Sequence, residues 1–182
     1  MRRILLAVSA FALTAACGQQ ATTTETPTPI EAPALPTVAQ ITNADFAQAV
    51  ANSDAFEIQS AEIAAHRGVR ADVKEFARMM RTDHTATTAE LTGLAPTINL
   101  TAPTPVLDAD HNAKLEALRN ASGEAFDDLY LDQQVEAHEN AVSTFESYLT
   151  GAPQDPLRQW AETTLPKLRT HLERVRTLEN AT

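Results

Sequence analysis

Four long segments of this chain place apolar residues at alternating steps of three and four, and prolines or glycines cut the chain between them. That alternation winds a single apolar stripe along a helix, whereas a half-buried strand needs a step of two. The spacing predicts a first helix opening on the capping box Thr42-x-x-Asp45 and running to about His66, with Arg67-Gly68 as its stop. A second helix is predicted over about 70–95, ended by Pro96, and a short helical piece near 108–120. The third long helix spans about Ser122 to Leu149, ahead of the break Gly151-Ala152-Pro153. Asp155-Pro156, an N-cap followed by proline at the first helical position, opens the fourth, which continues to about Glu179. Alanine and leucine are abundant, and only 5% of residues are aromatic, a balance that argues against a β-sandwich or barrel.

These elements predict an all-α domain over 41–182, an antiparallel four-helix bundle. The tight first and third connections make hairpins of antiparallel helices. The stretch 96–121 is long enough to cross the length of the bundle, so that the second and third long helices run parallel. One long crossover between helices two and three is the ferritin-like arrangement; simple up-down-up-down topology is the alternative.

Each apolar stripe is interrupted by one ionisable residue. The stripes read Phe46, Val50, Ser53, Glu57, Ser60, Ala64; then Val73, Ala77, Met80, His84, Thr87, Leu91; then Leu131, Val135, His138, Val142, Phe145; and Leu157, Ala161, Thr164, Leu168, His171, Val175. With the helices in the ferritin-like sense, Glu57 falls near the level of His171 and His84 near that of His138. The two levels differ by about one helical turn. One carboxylate and three imidazoles converging in a bundle suit a single divalent metal, with iron, manganese, zinc and copper all compatible. The alternative is a structural polar network of hydrogen-bonded histidines, because ionisable groups are buried only when paired or metal-bound.

Asp83, one residue before His84, points about 100° away from it and suits a place behind the ligands. Asp127 and Tyr130, on the first turns of the third long helix, are candidates for the same supporting place behind the ligands, and an acid there also complements the helix dipole. His66 lies at a helix C-terminus, where the dipole favours a cation. Asp108-x-x-His111 has ligand spacing but falls in the crossover, and Trp160 is expected to pack against the bundle. Pro166 inside the fourth helix is expected to free the carbonyl of Glu162 and kink the helix before His171. No Gly-rich phosphate loop, Gly-x-Ser-x-Gly elbow or His-Glu-x-x-His pair occurs, which argues against an enzyme.

The first forty residues have a different character. Arg2 and Arg3 precede the uncharged run Ile4 to Ala16, too short to span a bilayer but suited to a signal peptide over 1–16. Leu13-Thr14-Ala15-Ala16-Cys17 resembles a bacterial lipobox, which makes Cys17, the single cysteine of the chain, the expected site of lipidation and membrane anchoring. Thr14 stands where an aliphatic residue is more usual. Gly18, in place of a retaining aspartate, points to the periplasmic face of the outer membrane in a Gram-negative source. From there to residue 40 the prolines 27, 29, 33 and 36 and many threonines predict a disordered tether. The net charge is −10, and −12 once Arg2 and Arg3 are removed, which argues against nucleic-acid binding.

The pattern resembles the bacterial ferritin-like domain-of-unknown-function family 4142, over about residues 43–179. The resemblance rests on Glu57 with Ile63-Ala64, Asp83-His84-Thr85, Phe126-Asp127-x-x-Tyr130, Val135-Glu136-Ala137-His138, and Leu165-Pro166 with His171. It implies a ferritin-like helical bundle in an exported protein with no assigned activity. It does not imply di-iron chemistry, because the Glu-x-x-His pairs of di-iron members are missing: Arg81 precedes His84 and Leu168 precedes His171. A mononuclear site, or an interaction and scaffolding module with a polar core, fits the residues better.

Overall fold

The computed structural model describes residues 40–181. The expected signal peptide over 1–16, Cys17, and the tether up to Ala39 lie outside the described residues. The described residues are all-helical and contain no strand. They form α1 (Asn43–Arg67), α2 (Ala71–Leu94), α3 (Ala109–Asn120), α4 (Glu124–Gly151) and α5 (Pro156–Glu179).

Local chemistry sets most of these ends as the spacing predicts. The Thr42 hydroxyl accepts from the Asp45 amide at 3.1 Å and donates to the Asp45 carboxylate at 2.7 Å, which satisfies one of the free amides of α1. Asp155 accepts from the Arg158 amide at 2.9 Å and Pro156 takes the first position of α5. That helix continues through Pro166 to Glu179.

One start differs from expectation, and two stops fall where expected but are made differently. The second helix ends at Leu94, ahead of Pro96 as expected, and the chain then tightens into a 3₁₀ turn over Ala95–Ile98, in whose first positions a missing N–H costs nothing. Asn99 then ends the run in the left-handed region, at φ 57°. The third long helix starts at Glu124 and not Ser122, because Gly123 takes φ 64° in front of it. Gly68 ends α1 without the left-handed conformation of a glycine stop, at φ −52° and ψ 147°. Its lack of a side chain serves a close approach instead: a Cβ there would lie 2.9 Å from the Ala64 carbonyl and 3.3 Å from Asp127 Oδ1.

Side-chain bonds between helices fix their directions. Asp54 of α1 meets Thr88 of α2, and Glu62 meets Arg81, so these two helices are antiparallel. Asn43 pairs with Tyr148 and Glu57 with Gln134, which sets α1 antiparallel to α4. Glu75 pairs with Arg174 and Glu90 with Trp160 across α2 and α5, while Glu139–Arg176 and Glu146–Arg169 join α4 to α5. Hence α2 and α4 run parallel, and the segment carrying α3 crosses from the end of one to the start of the other. The short α3 lies over α1 and α4, where His111 packs on Phe56 and Lys114 reaches Glu136.

The apolar core is divided in two. One cluster gathers Ala64, Val73, Phe76, Met80, Phe126 and Val175, and the other Phe46, Leu91, Phe145, Tyr148, Leu157 and Ala161. On all four long helices the stripe passes from one cluster to the other at a polar residue. Met80 and Leu91 flank His84, Leu131 and Phe145 flank His138, Leu168 and Leu172 flank His171, and Val50 and Ala61 flank Asp54, Glu57 and Ser60. Trp160 packs beside Phe145, with ring centroids 5.8 Å apart, and donates to Glu90 at 2.9 Å.

Candidate metal centre

The three histidines come from α2, α4 and α5 and meet between the two apolar clusters. Their ring centroids are 5.4 to 5.8 Å apart, and all three side chains are buried. One potential ligand atom from each lies within 4.8 Å of the other two. Nitrogens around one ion at about 2.05 Å would be about 3.3 Å apart, so small ring movements complete a trigonal set.

Each imidazole has one nitrogen committed to an oxygen. His84 Nδ1 lies 2.8 Å from Asp54 Oδ1, His138 Nδ1 lies 2.9 Å from the Gln134 carbonyl, and His171 Nε2 lies 3.0 Å from Asp83 Oδ2. A carbonyl or an ionised carboxylate can only accept, so those nitrogens carry the proton of the neutral ring. In the neutral rings, the form in which imidazole binds a metal, the lone pairs are then on His84 Nε2, His138 Nε2 and His171 Nδ1. All three of these atoms are fully buried and have no hydrogen-bond partner. A buried polar atom left in this way costs about 1–3 kcal/mol.

Electrostatics keeps two of the rings neutral. Burial, then repulsion from His84, lowers the His138 pKa to about 4, with its bond to Gln134 opposing the shift. Burial, then the other two histidines, lowers His171 to about 4 against the pull of Asp83. Burial also works to depress His84, but the Asp54 bond and the charges of Glu57, Asp54 and Asp83 outweigh it, and its pKa rises. Asp54 and Glu57 are both raised, chiefly by burial and against the attraction of His84.

The other expected site residues are placed as follows. Glu57 is buried beside the cluster, accepts from Gln134 at 2.7 Å, and has its Oε1 3.8 Å from His138 Nδ1. That is the ring edge already bound to Gln134, and Glu57 is not part of the converging group of three. Asp83 stands behind His171. Tyr130 is buried with an unpartnered hydroxyl whose pKa rises well above the usual phenol value, through burial first and then the negative charge of Glu57. Asp127 is away from the cluster: it accepts from the Val69 and Arg70 amides at 2.9 and 2.8 Å and so caps the start of α2. His66 is exposed near Glu62, and Asp108 caps α3 through the His111 amide at 2.8 Å. His111 is half-buried against Phe56.

Two residues of the site were not found by following one stripe per helix. Asp54 is 2% exposed and holds both His84 and Thr88, and Gln134 is fully buried between Glu57 and His138. The signal for each was a spacing of four, from Val50 to Asp54 and from Gln134 to His138.

Two cavities lead to the cluster. One of about 290 Å³ runs from Asp108 and Asp110 on the α3 side inward past Asp54 to His84. Another of about 240 Å³ lies between α2 and α5 and is lined by Asp83, Glu90, His84 and His171.

A family model described as "Domain of unknown function (DUF4142)" matches residues 27–178. The chain belongs to the DUF4142 family. The match takes in every residue of the three-histidine cluster and its oxygen partners, so the cluster lies within the DUF4142 domain itself. Searches of curated proteins and of solved structures found no match.

Proposed function

We propose that this chain is an exported, lipid-anchored envelope protein whose ferritin-like bundle holds one divalent metal ion through His84, His138 and His171. The observation that carries the metal reading is the set of three buried, unpartnered ring nitrogens, each on an imidazole whose other nitrogen is bound to oxygen. Metal-bound histidines take this form, with the outer oxygen fixing tautomer and ring direction. A three-imidazole set favours zinc, copper or iron over manganese. Glu57, buried beside the cluster with its Oε1 unpartnered, serves as a fourth ligand or as a charge that offsets the ion. Asp54 and Asp83 act from behind.

The ferritin-like part of the reading is supported by the parallel pair α2 and α4 and the crossover between them. Export and anchoring are supported by Arg2-Arg3, the apolar run 4–16 and Cys17. Metal analysis by mass spectrometry, on protein purified without an affinity tag, tests the central statement. About one ion per chain is expected, together with a higher melting temperature. Absence of any ion, both as isolated and after adding zinc, copper or iron, removes the reading.

A second reading, an interaction module with a structural polar core, is favoured by one observation. The bonds of Asp54 to His84 and Thr88, and of Glu57 to Gln134, lock α1 in register with α2 and α4. Under that reading, replacing the three histidines with apolar residues leaves the fold and its cellular role intact.

A further inference from the structure

The three free nitrogens are sealed from solvent, so an ion that binds them needs a passage through the packed helices. We infer that the cavity beneath α3 is that passage, with Asp108 and Asp110 at its mouth and Lys114 as its gate. The inference rests on the metal reading above.

The cavity has the needed reach. Its outer wall belongs to α3, Asp54 and Phe56 line its wall on α1, and it ends at His84. At about 290 Å³ it has room for an ion that keeps part of its hydration shell. Charge favours a cation along this route. The side chains of Asp108 and Asp110 are 65% and 68% exposed at the mouth, and the buried Asp54 waits at the inner end, bonded to His84.

Lys114 is the exception on this path, and its geometry explains its presence. Its ammonium is 2.7 Å from Asp110 on its own helix and 2.8 Å from Glu136 on α4, so it ties the crossover helix down over the cavity. The Gln133 amide donates to the Lys114 carbonyl at 3.2 Å and adds to the same tie. An ion entering here passes a like charge that also neutralises one mouth carboxylate. Lys114 hence slows entry and escape together and leaves the bound state little changed.

The competing route is the 240 Å³ cavity between α2 and α5. It is smaller and, like the first, is lined by engaged carboxylates, Asp83 and Glu90, and by a lysine, Lys167, so uptake by variants plugged on each side separates the two.

The test is stopped-flow uptake of cobalt(II) by metal-free full-length protein, followed by the ion's visible absorption. Ala49 and Ala86 are exposed and line the first and second cavities respectively, so a bulky side chain at either can be added without disturbing the core. Ala49→Trp is expected to slow uptake about tenfold, with the final Kd within about threefold of the parent. Ala86→Trp leaves the rate unchanged. Lys114→Met is expected to speed both uptake and release about threefold or more, and the gain shrinks with added salt. Thr144→Phe plugs the same cavity from α4 and repeats the slow uptake if Ala49→Trp fails to fold. Slow uptake in Ala86→Trp alone, or in neither cavity's variants, overturns the passage while leaving the metal site standing. If the parent protein takes up no ion at all, the metal reading itself has failed and the passage falls with it.

Discussion

Asp54 is the residue whose role is most specific and least visible from composition. Its carboxylate holds His84 Nδ1 at 2.8 Å and accepts from Thr88 at 3.0 Å, while almost fully buried. It therefore fixes the tautomer that presents His84 Nε2, and its charge makes that nitrogen a better donor. Asp54→Asn keeps the hydrogen bond and removes the charge, and it is expected to weaken zinc binding about tenfold, measured by competition with a chelator. Asp83→Asn acts on His171 in the same way but less strongly, because that carboxylate is 44% exposed and its charge is screened by solvent. The three histidines and Glu57 are all buried on the stripes that spacing picks out, but only the histidines converge. Asp54 and Gln134 were not picked out, because each helix buries residues from two adjacent stripes. The helix-one stripe drawn through Ser53 passes beside Asp54, and small residues such as Ala47, Ala51 and Ala61 mark the neighbouring stripe only weakly.

At the scale of elements, the turn from α1 to α2 shows how a local break and a distant side chain depend on each other. Gly68 leaves room for Asp127 to reach across from α4 and accept from the Val69 and Arg70 amides. The amides at the start of α2, which lacks a side-chain cap of its own, are thus satisfied from another helix. Gly68→Ala forces a Cβ against a backbone carbonyl and this carboxylate, and is expected to cost about 1–3 kcal/mol in urea unfolding. Asp127→Ala is expected to cost about 1–2 kcal/mol by removing the cap. Both variants should bind zinc as the parent does, since the turn lies at the far end of the apolar cluster from the histidines. The role of Asp127 could not be read from its own helix: an acid in a first turn complements the local dipole wherever it points, and only the packing of α4 against the α1–α2 turn selects its partner. Helix ends, by contrast, were legible wherever a side chain caps its own helix, as at Thr42 and Asp155. The start of α4 lies two residues past the expected one, because Gly123 takes the left-handed region in front of it, whereas the stop at Gly68 falls where expected but through a different backbone conformation.

For the whole molecule, the parallel course of α2 and α4 followed from the length of the crossover, and the polar layer between two apolar clusters followed from the interrupted stripes. The passage under α3 did not, because nothing in a short amphipathic helix records which gap it covers. The buried histidines also give the metal-free protein a defined pH response. Unfolded, His138 and His171 titrate near 6.5, whereas in the fold they titrate at about 4. Between those values the unfolded chain binds protons that the folded chain refuses, so their contribution is complete above 6.5 and is lost as the pH falls towards 4. Asp54 and Glu57, raised by burial, act in the opposite sense on the acid side. The share of stability that these histidines carry in chelator-treated protein is accordingly expected to fall from pH 6.5 to 4, read in urea titrations as a parent whose stability drops relative to His138→Phe over that range. A bound ion raises stability by about 2.7 kcal/mol at a hundredfold excess over Kd, and that gain disappears over the same range as protons displace it. The most direct measurement is the stoichiometry and donor set of zinc or copper bound to the full chain, by calorimetry with X-ray absorption, compared with a variant lacking all three histidines. One ion per chain with three imidazole nitrogens, and no binding by the folded variant, is the expected result. No binding by the parent, or equal binding by the variant, contradicts the account.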